Sequence, residues 1–554
     1  MSRRDFLKST LAATGALAFG RNEALAEEPR GEKPNVLFIM TDQQRADTIA
    51  LLGNAHIYTP NLDRLVKRGI AFTQAYSTCP VCVPARYTIR TGCEPPTTGV
   101  YSNSGAKLVE GQPPNMEDRC GKYLARTMAG MGYRTFGIGK SHTIPPDEDL
   151  GYEVHLHSEE LYGSPEDRKR DAYAAFIAKE HPEYDWIEML MGERTEMYYM
   201  PQMSPTPAHL GVEAWAADRA IEQIRMSADQ PYFGFVSFVG PHPPFAPPLP
   251  YNRMYDPDRM PNPIRGDIAL DHMDEMIPSM NHAIWAEDIN DPHARVLKAR
   301  YYGEISYIDH CLGRILDAVE SRPDGDNTLI CFFTDHGDHL GDHYAWQKES
   351  FFEASCHIPF LLSWPKRLPK DAKCDDLVCL TDLFGIATTA GGRPELRQGV
   401  DVLGNAERGM RSAELGAANP KSGIRNSESP RQRVIGYYGA PGTDRFKVMV
   451  REGDWKYIFI ANGGREQLFN VAEDPNELRQ RLQDAPDVAK RLRQSGTEAL
   501  SVPNANRALD GGNLRSFPYT KWERGRIYQF DASRGVRRFP ERAEDVVKGR
   551  SGAG

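Results

Sequence analysis

One cysteine in this 554-residue chain stands where a nucleophile would be placed. Cys82-Val83-Pro84-Ala85-Arg86 opens a segment with Pro84 at a first helical turn and Gly92 after the last, which predicts a helix over 83–91. A side chain at that end of a helix meets unpaired backbone N–H groups and the positive end of the helix dipole, so it suits an anionic nucleophile or a bound anion. Arg86, one turn on, can offset charge at the same spot. Cys79 and Cys82 are spaced C-x-x-C, but no second pair stands at ligand spacing, so zinc is not indicated.

The elements that must position this cysteine read as strands alternating with helices. Asn35 to Met40 is a short apolar run without alternation, the pattern of a parallel strand buried on both faces. Pro60 to Lys67 reads as a helix closed by Gly69, and Ile70 to Tyr76 as a strand. A helix from about Cys120 to Met131, capped by Gly132, leads into a strand from Tyr133 to Ile138. Further strands are expected at Pro231 to Phe238 and Thr328 to Phe333, the latter after a long helix, Ala294 to Glu320. This order implies an α/β fold: a large, mainly parallel sheet sandwiched by helices. Ligands in such sheets sit at the carboxyl ends of strands, which would gather Asp42, Lys140, His242 and Asp335 onto one rim.

Past a polar, aperiodic stretch at 404–433, read as a linker or loop, short antiparallel strands are expected at Phe446 to Arg451, Trp455 to Ile460 and Glu466 to Phe469. A helix, Pro486 to Leu500, would pack on them. The domains expected are a catalytic one over 33–403, a smaller C-terminal α+β subdomain over 434–505, and an extension over 506–554.

The N-terminus carries its own signal. Ser2-Arg3-Arg4-Asp5-Phe6-Leu7-Lys8, a short apolar stretch from Leu11 to Phe19 and the small-residue site Ala24-Leu25-Ala26 describe a cleavable export segment over 1–26. The paired arginines point to the twin-arginine machinery, which exports folded proteins, and so to a periplasmic or secreted location. Nothing in the apolar runs is long enough to cross a bilayer, and no lipid-anchor cysteine stands near the cleavage point, so no membrane anchor is expected. Cleavage removes four Lys/Arg and two Asp/Glu and takes the formal charge from −9 to −11, which argues against a nucleic-acid partner. Nine scattered cysteines are not the disulfide framework of a small secreted domain, and an odd count in an exported protein asks for one cysteine with another job.

With these residues in view, the segment Cys82-Val83-Pro84-Ala85-Arg86 followed by Thr91-Gly92 resembles the signature of the sulfatase family, within the alkaline-phosphatase-like superfamily. Pro34 to Gln44 resembles that family's first strand and metal loop, with Asp42 at the first metal carboxylate and Gln43 where many members carry a second Asp. Thr334-Asp335-His336-Gly337 resembles the other half of the metal site. Gly139-Lys140-Ser141-His142 matches Gly-Lys-x-His, His242 in Gly240-Pro241-His242-Pro243-Pro244-Phe245 matches the histidine beside the leaving group, and Lys348 matches a second sulfate-binding lysine. The likeness covers roughly residues 33–480.

The resemblance implies a sulfuric ester hydrolase in which a maturation enzyme, formylglycine-generating or radical, oxidises Cys82 to formylglycine. It implies a divalent metal on Asp42, Gln43, Asp335, His336 and residue 82 itself. Ca²⁺ is favoured by the oxygen ligands, with Mn²⁺ or Mg²⁺ possible beside the imidazole. Arg86, Lys140, His142 and Lys348 would neutralise the sulfate oxygens and His242 would protonate the departing alcohol. Asp338, His339, Asp342 and His343 read as solvated or supporting residues. A sulfated carbohydrate is the leading substrate class, with specificity contacts sought around Tyr101, Asn103, and the 150–210 and 245–290 segments. Two rivals stay open: a phosphonate monoester or phosphodiester hydrolase of the same superfamily, with which Ala85 and the Asp335-His336 pair are compatible, and a non-catalytic sulfated-glycan-binding protein with Cys82 unmodified.

Overall fold

The computed structural model describes residues 33–159, 165–185, 201, 203–226, 230–266, 289–407 and 431–520. The export segment over 1–26 lies outside them, as do 408–430 of the stretch read as a linker and 521–554 of the extension. The described residues from 34 onward belong to one compact unit.

Its centre is an eight-stranded sheet made of β1 (Asn35–Thr41), β2 (Ile70–Tyr76), β3 (Arg134–Gly139), β4 (Val154–His157), β5 (Tyr232–Ser237), β6 (Thr328–Thr334), β7 (Phe360–Ser363) and β8 (Ala372–Cys379). The spatial order is β4-β3-β5-β1-β6-β7-β2-β8. All neighbours run parallel except around β7, which is antiparallel to both β6 and β2. Central β1 shows why its run is apolar without alternation. Leu37 and Ile39 face α1 (Pro60–Arg68), α4 (Val212–Arg225) and α5 (Asp291–Glu320), packing with Leu62, Trp215, Ile308 and Leu312. Val36, Phe38 and Met40 face the other way, onto α2 (Cys82–Thr91), α3 (Leu124–Gly130) and α6 (Asp382–Ala390), meeting Ala85, Ile89, Leu124 and Phe384. This is the α/β sheet, sandwiched by helices, that the residue pattern predicts.

A second sheet, β12-β11-β10-β9, is antiparallel throughout: β9 (Arg433–Tyr438), β10 (Lys447–Glu452), β11 (Trp455–Ile460) and β12 (Arg465–Asn470). Val448, Val450, Tyr457 and Phe459 pack on Leu492 and Leu500 of α7 (Pro486–Leu500), while Met449, Ile458 and Phe469 pack on Tyr76, Phe351 and Cys356 of the large sheet's own segments.

Three local expectations change. The helix read as Cys120 to Met131 is two pieces, Met116–Cys120 and Leu124–Gly130, because Gly121 takes φ 81° between them. β9 has no counterpart in the reading, since Gly436 and the polar residues before it dilute its apolar run. Residues 404–407 continue a helical segment from 402.

Candidate functional site

Four strands side by side, β3, β5, β1 and β6, end on one rim. Lys140 follows β3, Asp42 follows β1, Asp335 follows β6, and His242 lies five residues past β5. At the β3 end, Gly139 has φ 94° and a Cβ there would lie 2.0 Å from the carbonyl oxygen of Ser237, so only glycine lets the two strand ends close up. α2 aims its N-terminus into the same rim, with Val81 extended as N-cap and Gly92 left-handed at the C-cap, where its N–H donates to Thr88. Asn103 supplies the missing side-chain cap, its carboxamide oxygen accepting from Val83 N–H at 3.0 Å.

Cys82 is fully buried at that N-terminus. Its Sγ lies 3.1 Å from Lys348 Nζ, 3.2 Å from His336 Nε2 and 3.7 Å from Asp42 Oδ1. Arg86 knits the rest together, with Nη2 donating to Asp42 Oδ2 at 2.9 Å and Nε to Asp335 Oδ2 at 3.2 Å. Its Nη1 donates to Lys140 O at 2.7 Å and Ser237 Oγ at 3.0 Å. Lys140 Nζ donates to Asp42 Oδ2 at 2.6 Å. Gln43 is held from three sides: Lys348 Nζ donates to its Oε1 at 2.6 Å, its Nε2 donates to Gln347 at 3.1 Å and to Asp338, and its backbone N–H donates to Asp335 Oδ1 at 3.1 Å. The turns that carry these groups are strained, with positive φ at Gln43, His142, Gln347 and Glu349.

The electrostatics follow from burial and crowding. Burial disfavours a charged Asp42, but Lys140, His242, Arg86 and Lys348 together outweigh it and hold that carboxyl well below the usual range. Burial, then the Asp42 carboxylate, push the Cys82 thiol up to about 12 against the pull of Lys348 and Lys140. As plain cysteine it is therefore a thiol at neutral pH, not a thiolate nucleophile.

Asp42, Cys82, Asp335 and His336 bring their ligand atoms within 4.8 Å of one another, all buried. The carbonyl of Gly337 accepts from His336 Nδ1 at 3.0 Å, so the proton is on Nδ1 and the Nε2 lone pair faces inward. That lone pair lies 3.8 Å from Asp42 Oδ1 and 3.6 Å from Asp335 Oδ1. Burial lowers the imidazole's pKa, and a neutral lone pair crowding two carboxylates is repulsive unless a cation lies between them. The donor set therefore fits a divalent metal.

Two further predicted histidines follow β5 and β3. His242 donates Nδ1–H to Pro243 O at 2.8 Å and helps to lower the Asp42 carboxyl. His142 is half-buried in a left-handed turn whose backbone N–H donates to Glu159. Glu159 also takes a 2.8 Å bond from His157 Nε2, and its carboxyl falls to about 2: burial opposes this, and the His157 bond with His142, His157 and Lys140 overcomes it. Glu159→Gln should loosen the turn and lower kcat/KM by about tenfold or more with little change in melting temperature; steady-state kinetics check this.

Several positions were not foreseen. Ser237, Gln347 and Glu159 carry no motif that singles them out, although Ser237 closes β5, where the strand-end rule points. Of the two readings given for Asp338, His339, Asp342 and His343, the supporting one holds: all are buried, and Asp338 accepts from Gln43. Tyr101 is not a substrate contact in an open loop. It is 1 % exposed, packs in the core beneath the small sheet and donates its hydroxyl to Asn504 O at 3.4 Å. Of the 150–210 and 245–290 segments, 160–164, 186–200, 202 and 267–288 lie outside the described residues.

A buried rim cysteine flanked by a metal-type donor set and by arginine and lysines, on this sheet, defines a hydrolase of the alkaline-phosphatase-like fold. The sulfatase family model matches residues 34–387, and the chain belongs to that family, the sulfuric ester hydrolases. It is 28% identical over 468 residues to an arylsulfatase of Clostridium perfringens, covering 80% of this chain and 89% of that one. It is likewise 28% identical over 471 residues to a choline-sulfatase of Rhizobium meliloti, covering 80% and 82%. The solved phosphonate monoester hydrolase of Agrobacterium radiobacter shares the fold, with a TM-score of 0.67 at 24% identity over 86% of this chain and 96% of that one. Residues 1–20 match the twin-arginine signal sequence, so the protein is exported to the periplasm or beyond. Among the described residues no helix is long and apolar enough to cross a membrane.

Proposed function

We propose that this enzyme removes sulfate from a sulfated carbohydrate or a related sulfate ester, using formylglycine made from Cys82 by a maturation enzyme and a divalent metal on Asp42, Gln43, Asp335, His336 and residue 82 itself. The observation that carries the reading is the contact of Cys82 Sγ with Lys348, His336 and Asp42 at the N-terminus of α2. In the mature enzyme that sulfur position stands for an oxygen of the hydrated aldehyde. The metal, Ca²⁺ first and Mn²⁺ or Mg²⁺ next, would supply Lewis acidity, and the hydrated aldehyde a hydroxyl nucleophile that can release its sulfate by reverting to the aldehyde.

The protein's own groups do the rest. Arg86, Lys140 and Lys348 place three cations around two carboxylates, a surplus that grows with a bound metal and suits an anionic sulfate ester. Gln43 keeps Lys348 aimed, and Arg86 keeps both carboxylates apart from each other's charge. His142, two residues past Lys140, would meet a sulfate oxygen. His242, anchored through Nδ1, holds a proton at Nε2 for the alcohol oxygen as the S–O bond breaks.

The second reading is a phosphonate monoester or phosphodiester hydrolase, with which Ala85 in the signature and the Asp335-His336 pair are compatible. Hydrolysis of an aryl sulfate, an aryl phosphodiester and an aryl phosphonate monoester by one preparation separates the two. The sulfate ester is expected to have the highest kcat/KM; a higher value for either phosphorus ester would replace the reading with its rival.

A further inference from the structure

Cys93 and Cys120 stand apart from the reaction centre, one just after α2 and the other at the end of the Met116–Cys120 turn. Both are nearly buried, 5 % and 7 % exposed, in one cluster with Val83, Tyr87, Met116 and Tyr123. Cys93 Sγ lies 3.5 Å from Thr91 O and Cys120 Sγ 3.7 Å from Met116 Sδ, and each thiol acts on the other's ionisation. The two backbones are also tied independently of sulfur. Arg397 donates to Thr91 O at 2.5 Å and to Lys122 O at 2.6 Å, two residues before one cysteine and two after the other. The chain between them reaches the surface, with Lys107, Glu110, Pro113 and Asn115 exposed, so opening this segment uncovers both sulfurs.

From this shared buried cluster and the guanidinium that ties the two backbones, we propose that Cys93 and Cys120 form a disulfide in the exported enzyme, closing the segment 94–119. Cytosolic thiols stay reduced, and the compartment reached by the twin-arginine route is oxidising. The oxidant is a disulfide-bearing protein or small molecule of that compartment. The Cys93 thiolate attacks its disulfide and releases one thiolate; the Cys120 thiol then loses its proton and attacks Cys93 Sγ, releasing the second. Two protein thiols and one oxidant disulfide become one protein disulfide and two oxidant thiols. The Cys120 thiol, opposed by burial and aided by Arg397, lowers the pKa of Cys93, which suits it to attack first. The closed segment carries Asn103, the residue that caps α2 beside Cys82, so the bridge would steady the helix end on which the reaction centre is built.

The test is a peptide map of full-length protein exported by its own signal, denatured with an alkylating agent before any reduction. A tryptic species joining residues 91–107 to 120–122, separated into two by dithiothreitol, is expected. In Cys93→Ser, Cys120 should become alkylated. Full alkylation of both cysteines in the unreduced wild type, or either one joined to a different cysteine, would overturn the proposal.

Discussion

Cys82→Ala is expected to lower kcat/KM on a sulfate ester by at least about 10⁴-fold, because a reaction that runs through one covalent centre leaves only residual binding and electrostatic help when that centre is removed. The fold should survive. Cys82 is a small side chain, and the cations and carboxylates around it are joined to each other through Arg86, Lys140 and Gln43, not through the sulfur. The melting temperature should therefore stay within about a few degrees of wild type. Cys82→Ser sharpens the point: a serine could accept sulfate but could not expel it, so the variant should gain one sulfate on that residue and stall. Near-normal turnover by the alanine variant would rule out any covalent role for residue 82.

Arg86→Met should cost both rate and stability. The guanidinium is fully buried between Asp42 and Asp335 and also bonds the Lys140 carbonyl and Ser237. Methionine keeps most of the volume but leaves two buried carboxylates with one shared partner fewer. Breaking a buried pair in this way costs about 3–5 kcal/mol, which a chemical-denaturation midpoint will register. The lost charge stabilisation should lower kcat by about 10²–10³-fold. A variant with an unchanged midpoint would show that Arg86 is not the clamp the contacts describe.

The rim was legible because its residues sit where strands stop. β1 announces itself as a buried run, and Asp42 is simply the next polar side chain; the same holds for Lys140 after β3 and Asp335 after β6. The helix at residue 82 was readable from Pro84 and Gly92 alone. What could not be read depends on backbone conformations that composition does not reveal. The left-handed turns at Gln347 and Glu349 turn Lys348 inward, and nothing in their residue types demands a positive φ. Glu159 reaches His142 from β4, an edge strand too short to stand out. Tyr101 was misplaced because a tyrosine in a polar loop looks exposed until the small sheet packs over it. Gly121 split a helix that periodicity had joined.

A mass spectrum of one peptide bears most directly on the reaction centre. Tryptic digestion of enzyme purified from its native host should release residues 69–86, which carry both Cys79 and Cys82. The expected species is lighter than the unmodified peptide by one sulfur-for-oxygen exchange and two hydrogens, with the change at residue 82 and Cys79 still a thiol. An active preparation in which Cys82 is wholly unmodified would contradict the account.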